Sequence, residues 1–490
     1  MTTIALSDWL LARINREDGP PLHRQLHEAL LAAVLEGELP AGRKLPSSRL
    51  LARELGVARN TVIDVYETLA AQGCLETRHG SGTYVADLSV ERIAPPGPAA
   101  PPEAERAAPR LSARGAAVVE GARVFPRQWG AFMPGVPDVT EFPTRVWARL
   151  HNRHWNRAAP ERLSYAPAGG LPALRTVLAE HLRTARGVRC EPSQIVITTG
   201  IHQSIDVTAR LLTDTGDTVW LEDPCYWGLR HSLQSLGLKL LPVPVDAEGV
   251  NLSGVSGPPP RFIVATPSHQ YPMGMVMSLP RRQALLDYAR AHGSWIIEDD
   301  YDSEFRYGTR PITSLQGLDR DQLVIYVGSL SKTLFPGMRL GYIVAPPSLA
   351  GAFAEGVAEL YREGQLQQQA MLADFIAEGH FAAHIRRMRG LYSRRRQALL
   401  EAIRAEFGET LPVMGDNAGL HLILDLPGLD DRAIAQAAVE AGIATRPLSG
   451  YYHSPGAGQS GLLLGYACVK EEAIAPAFAT LAGVLRKFGA

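Results

Sequence analysis

The residue with the sharpest chemical reading is Lys332, one of only five lysines among 49 basic side chains. It ends an apolar run in LVIYVGSLSKTLFPGMRLGYIV, with Ser329 and Ser331 close by and Arg339 seven residues further on. A lysine at the end of a buried strand is partly desolvated, which lowers its amine pKa and suits it to a Schiff base with a phosphorylated aldehyde. The hydroxyls and the guanidinium suit the phosphate dianion. Taken alone, Ser-x-Ser-Lys is a weak signal, and a surface lysine in a loop is its more usual reading. Three further segments complete a constellation. Trp295-Ile296-Ile297-Glu298-Asp299-Asp300-Tyr301 is an apolar strand ending in carboxylates and a phenol. A buried Asp there can pair with a protonated pyridine nitrogen and strengthen an electron sink. Tyr301 can hydrogen-bond a phenolic oxygen on the same ring. Thr198-Thr199-Gly200-Ile201-His202-Gln203, between a strand and a helix, offers backbone N–H groups to a phosphate. Glu222-Asp223-Pro224-Cys225-Tyr226 sets an aromatic ring at another strand end, where it can stack on a pyridine.

Such residues need a frame that brings strand ends together. Short apolar runs at 195–198, 218–222, 261–266, 294–298, 323–327 and 341–344 alternate with helical patterns at 171–183, 204–212, 281–292 and 386–407. That alternation predicts an α/β fold with a mainly parallel sheet. The chain has 490 residues, 46% hydrophobic and 20% charged, which excludes global disorder. Its formal net charge of −1 means that any nucleic-acid binding is local. Cys74, Cys190, Cys225 and Cys468 are far apart, so neither a disulfide scaffold nor a cysteine zinc site is expected, and a reducing, cytoplasmic setting fits. No secretory leader is expected at the N-terminus, and no apolar run of about 18 residues predicts a membrane span.

The clearest boundary is APPGPAAPPEAERAAPR (94–110), with six prolines and six alanines in 17 residues, a composition that predicts an extended tether. Before it, helical spacing at Leu22, Leu26, Leu30, Ala33 and Val34 is followed by a Ser47-Ser48 cap, a helix to Leu55, a break at Gly56 and a helix from Arg59. A glycine-rich hairpin around Gly80 and Gly82 closes the segment, with Arg78 and His79 beside it. Helix, turn, helix and hairpin make a winged helix. Arg59, Asn60 and Thr61 open its second helix, where side chains reach base edges; Ser48 and Arg49 suit phosphates. Between Leu22 and Tyr84 there are seven basic and seven acidic residues, so any DNA-facing surface must be a directed basic face.

The stretch LPSSRLLARELGVARNTVIDVYETLAAQGCLETRHGSGTYV resembles the GntR-family winged helix of MocR-type regulators. Ala58 stands where that family usually has a Ser or Thr cap, and Ile63 where some relatives place another DNA-contacting Arg. The large part resembles fold-type I aminotransferases. This resemblance implies pyridoxal 5′-phosphate (PLP) on Lys332, with Asp299 on the pyridine nitrogen, Tyr301 on the phenolic oxygen and Tyr226 stacked on the ring. It implies a phosphate cradle of Gly200, Ile201, His202, Ser329, Ser331 and Arg339, with Tyr165 reaching a neighbouring subunit. Two departures stand out. Tyr271-Pro272-Met273-Gly274 replaces Asn-Pro-x-Gly, and Gly461-Leu462-Leu463-Leu464-Gly465-Tyr466 stands where many transaminases carry a carboxylate-binding Arg. Arg230 and Arg446 are substitutes that spacing cannot separate, and Tyr452 and His453 are candidate pocket residues. The whole chain resembles MocR/GabR-type regulators. The expected organisation is a winged helix over 15–86, a linker over 87–124 and an aminotransferase-like effector domain over 125–490. The resemblance further implies a head-to-tail homodimer that binds operator DNA and senses PLP, or an amine or amino acid, through an aldimine. The competing reading is an active aminotransferase with an accessory winged helix.

Overall fold

The computed structural model describes residues 3–15, 19–78, 80–87, 110–120, 129–307, 312–362, 364–454, 456 and 458–490. His79 and the Pro/Ala-rich stretch 94–109 lie outside them. The chain divides into two compact units, Met1–Arg110 and Leu111–Ala490.

In the first unit, α1 (Thr3–Leu11), α2 (Leu22–Leu35), α3 (Ser48–Leu55) and α4 (Arg59–Ala71) precede a hairpin of β1 (Leu75–Arg78) and β2 (Gly82–Val85). Its core joins Leu26, Leu30, Leu51, Leu55, Val62, Val65 and Leu69. α1, in front of the expected module, adds Leu6 and Leu10, which lie one helical turn apart and share its buried side. α3 starts at Ser47, whose hydroxyl accepts from the Leu50 amide at 3.2 Å, and ends at Gly56 with φ 58°. α4 starts at Ala58 with no side-chain cap. The hairpin pairs Arg78 with Gly82.

The second unit opens with α5 (Ala113–Glu120) inside the span expected to be linker; Gly115 and Ala116 are half-buried, and the helix contacts α9. α6 (Thr144–Trp155) and α7 (Pro172–Arg186) lead into an α/β region. This comprises β3 (Ile195–Thr198), α8 (Ile201–Leu212), β4 (Thr218–Asp223), α9 (Trp227–Ser235), β5 (Lys239–Asp246), β6 (Gly249–Val250), β7 (Phe262–Ala265), α10 (Leu279–His292), β8 (Trp295–Asp300), α11 (Leu315–Leu318), β9 (Val324–Ser329) and β10 (Gly341–Val344). The eight strands are ordered β3-β10-β9-β8-β7-β4-β5-β6. β9, β8, β7, β4 and β5 are parallel; β10 and β6 run against their neighbours. The expected strands form with bounds that match or shift by at most two residues, because each apolar run is short and largely buried.

Then follow α12 (Ala350–Tyr361), α13 (Leu366–Ala377), α14 (His380–Phe407), β11 (Val413–Met414), β12 (His421–Asp425), α15 (Asp431–Glu440), β13 (Arg446–Pro447), β14 (Gly461–Gly465) and α16 (Glu471–Lys487). The last four strands form an antiparallel sheet ordered β11-β12-β14-β13. Among the described residues no helix is long and apolar enough to cross a membrane, and all four cysteines are free.

Candidate functional site

The parallel strands point their C-terminal ends the same way, the place where open α/β sheets bind ligands. β10 lies antiparallel between β3 and β9, and its Gly341 is in register with both Thr198 and Ser329. A Cβ on Gly341 would sit 2.8 Å from the Gly200 Cα, so only glycine allows this approach. The Gly200 turn and the Ser329–Lys332 loop are thereby laced together. Gly200 itself has φ 121° and opens α8, whose first-turn amides at Ile201 and His202 have no intrahelical acceptor.

Lys332 is half-buried, and its Nζ donates to the Gly135 carbonyl at 2.6 Å. Burial lowers its amine pKa, against the pull of Asp302 and Asp299. The Ser331 amide donates to the Ser329 hydroxyl at 3.2 Å. Arg339 is exposed at φ 50° and close enough to depress the His202 imidazole further, beyond the effect of burial.

Strand alternation divides the carboxylates of β8. Asp300 turns to the far side, onto Arg186 (2.8 Å) and the Tyr326 hydroxyl (2.6 Å). Asp299 faces Lys332, and its Oδ1 is buried with no hydrogen-bond partner. Burial first, then Asp300, Glu222 and Asp302, push the Asp299 carboxyl up to about 8, with Lys332 opposing. Two residues on, the Tyr301 hydroxyl lies 2.8 Å from His269 Nδ1. The same nitrogen is 3.0 and 3.1 Å from the two Asp302 carboxylate oxygens.

An aromatic layer spans the strand ends. Tyr226 bonds His202 Nε2 at 3.0 Å, and burial pushes its phenol up to about 12. Tyr271, at the position expected for Asn, meets Tyr226 and Tyr301 edge-on at 6.1 and 5.6 Å and bonds the Tyr451 hydroxyl at 3.2 Å. The structure also separates the two arginines. Arg230 donates to the carbonyls of Tyr451 (3.4 Å) and Tyr452 (2.7 Å) and so holds a loop. Arg446 pairs in register with Leu463 of β14, is buried, and has Tyr451 and Tyr271 beside it. The His453 amide donates to Asp223 at 2.7 Å, so this residue serves through its backbone. Tyr165 is 82% exposed and takes no part in the cluster. Sequence reasoning did not single out His269, Asp302, His421 or Gly135. Their only signal was proximity: Asp302 follows Tyr301, and His269 precedes Tyr271 by two.

In the first unit, Arg59 Nε reaches the Ser48 hydroxyl at 3.5 Å, joining the starts of α3 and α4. Arg49, Arg59 and Asn60 are exposed and Thr61 half-buried. At the hairpin, Arg78 and Lys44 lie over the Tyr84 ring at 4.6 and 5.8 Å. A Cβ at Gly82 would come 3.0 Å from the Lys44 side chain.

Comparison with known proteins agrees with this division. Residues 22–85 match the bacterial regulatory proteins of the gntR family, and residues 135–479 match aminotransferase class I and II. The probable rhizopine catabolism regulatory protein MocR of Rhizobium meliloti is 42% identical over 93% of this chain and 92% of its own length. The pyridoxine biosynthesis transcriptional regulator PdxR of Corynebacterium glutamicum is 31% identical over 94% and 95%. Among solved structures, the α-aminoadipate aminotransferase LysN of Thermus thermophilus, complexed with N-(5′-phosphopyridoxyl)-L-leucine, superposes with a TM-score of 0.67 at 28% identity. That match covers 77% of this chain and 95% of LysN. The chain therefore belongs to the MocR-type transcriptional regulators, in which a gntR-family winged helix precedes a class I and II aminotransferase domain.

Proposed function

We propose that the large unit binds PLP on Lys332 and senses either PLP itself or an amine or amino acid that enters the same site, and that this state controls operator binding by the winged helix. The observation that carries the reading is Asp299 Oδ1, a buried carboxylate oxygen with no partner that faces the one lysine of the site. An unpaired buried carboxyl is costly unless a cationic or protic group completes it, and a protonated pyridine nitrogen does so.

The residues fit the whole cofactor. PLP supplies an electrophilic carbonyl and an electron-poor ring when bound. Desolvation of Lys332 favours the uncharged amine that attack on a carbonyl needs. Tyr301 donates to the ring's phenolic oxygen, and Tyr226 covers a ring face. The α8 amides of Ile201 and His202, with the turn at Gly200, Ser329, Ser331 and Arg339, hold the phosphate. In a head-to-tail homodimer Tyr165 extends toward the partner's site.

Two features favour a sensor with little or no transaminase turnover. Leu462–Leu464 leave β14 without a carboxylate clamp, and Tyr271 stands in place of an amide. A weakly oriented ligand can still bias two conformations by its differential affinity for them. On the DNA side, Arg59, Asn60 and Thr61 read base edges, Ser48 and Arg49 contact phosphates, and the wing approaches through Gly82. Such a regulator works in the bacterial cytoplasm.

The test is a titration of the PLP-loaded protein with amines and amino-acid/keto-acid pairs, following the visible spectrum, operator affinity and product together. A spectral change with altered operator affinity and no repeated turnover is expected. Sustained keto-acid production with operator affinity unchanged overturns the sensor reading in favour of an enzyme.

A further inference from the structure

Three groups meet at His269 Nδ1. The imidazole and the Asp302 carboxylate are each only 1% exposed, so no water competes for that nitrogen. Nδ1 can hold one proton or one lone pair. Carboxylate oxygens accept, so the Nδ1 at 3.0 Å from Asp302 is assigned the proton and donates it. Tyr301, 2.8 Å from the same Nδ1, then faces a donor and must accept there, in a three-centre bond. Its own hydroxyl proton is turned away from His269.

The surroundings fix the imidazole. The Gly419 backbone approaches so closely that a Cβ there would fall 2.1 Å from the His269 ring and 2.6 Å from Asp302. The Tyr301 ring lies near-parallel at 5.8 Å, and the His421 ring packs at 5.6 Å. His421 is itself tied to the Pro272 carbonyl at 2.9 Å, and burial first, then His269, hold it down to about 3. Tyr301 faces Asp302, Tyr271, Asp299 and Glu222, and burial with these neighbours holds its phenol well above the usual value, so it stays a donor. Lys332 faces Asp302 and Asp299.

We propose that His269, oriented by Asp302, is a positioning residue that forces Tyr301 to offer its proton to the cofactor side. The inference rests on the reading above that Tyr301 donates to the phenolic oxygen of PLP. A donor on that oxygen favours the deprotonated chromophore and lowers the pH midpoint of the visible band. His269→Phe leaves Tyr301 free to give its proton to Asp302.

The experiment is a pH titration of the visible band in the PLP-loaded full chain, with melting of the apoprotein as a fold control. His269→Phe is expected to raise the midpoint by about one pH unit, roughly tenfold in proton affinity. Tyr301→Phe is expected to do the same, and the double variant to add nothing further. His269→Asn keeps a donor near the Nδ1 position and is expected to stay near the wild-type midpoint. An unmoved midpoint in His269→Phe beside a shifted Tyr301→Phe overturns the relay alone, as do additive shifts in the double variant. An inert Tyr301→Phe overturns the Tyr301 contact and the relay with it. Should His269→Phe not fold, ¹⁵N NMR of histidine-labelled wild-type protein decides the matter, with His269→Asn as the assignment difference: a bare Nδ1 refutes the proposal.

Discussion

Asp299 offers the most demanding test of the site. Burial and the neighbouring carboxylates push its carboxyl up to about 8 from an ordinary value of 3.8. At pH 7 the unfolded chain therefore carries it ionised and the folded chain carries it protonated. Taking up a proton about three pH units above the ordinary value costs about 4 kcal/mol. The sign follows from linkage: a raised carboxyl pKa means the folded state binds the extra proton. Stability is full below about pH 4, falls as pH rises, and levels off above about pH 8. Asp299→Asn needs no proton and should recover at least about 1 kcal/mol after its own desolvation. Glu298 and Glu304 also sit at about 7, so the readout is the difference between wild type and variant. The assay is thermal melting of both apoproteins from pH 5 to pH 9, with and without PLP. Without PLP the variant should melt higher, by a margin that widens towards pH 8. With PLP the wild type should gain about 2.7 kcal/mol at a hundredfold excess over its Kd, and the variant much less. An apo variant no more stable than wild type at pH 8, or an equal gain from PLP, refutes the assignment of Asp299 to the pyridine nitrogen.

Other expectations are more direct. Lys332→Ala should keep the fold and lose the covalent cofactor; intact mass after borohydride reduction should show no adduct, and a persisting adduct points to another amine. Arg59→Ala should abolish specific operator binding in gel shifts while leaving the visible band intact, since Arg59 opens the second helix of the helix-turn-helix. Ala58→Ser supplies the hydroxyl that α4 lacks and should stabilise the winged helix by about 1 kcal/mol, measured by chemical denaturation of the full chain and followed through that unit.

Legibility differed between parts of the molecule for physical reasons. The central strands were readable because each is a short apolar run bounded by turn residues, and buried parallel strands carry that pattern. Asp299, Tyr301, Tyr226 and Lys332 stood out as candidates because each lies at or within three residues of the end of such a run. The antiparallel sheet was not: β11 and β13 are two residues long and carry no periodicity. α1 was missed because six of its nine residues are apolar, so no periodic face stands out in so short a segment. His269 was invisible because its partners come from a different strand end, and a lone histidine in a loop is usually ordinary packing. Arg230 and Arg446 look alike as letters. Only the fold shows that one holds a loop through two carbonyls while the other lies beside Tyr271.

The antiparallel β10 has a mechanical corollary. Because Gly341 is stitched to both flanking strands and lies against the Gly200 backbone, the Gly200 turn and the loop that carries Lys332 are held to one another. A signal arising in this crevice cannot travel by spreading that floor. On the proposed reading a signal would leave by another wall, such as the one where the Tyr271 and Tyr451 hydroxyls meet. Tightening or loosening that hydroxyl-to-hydroxyl seam is a movement that would leave the floor undisturbed.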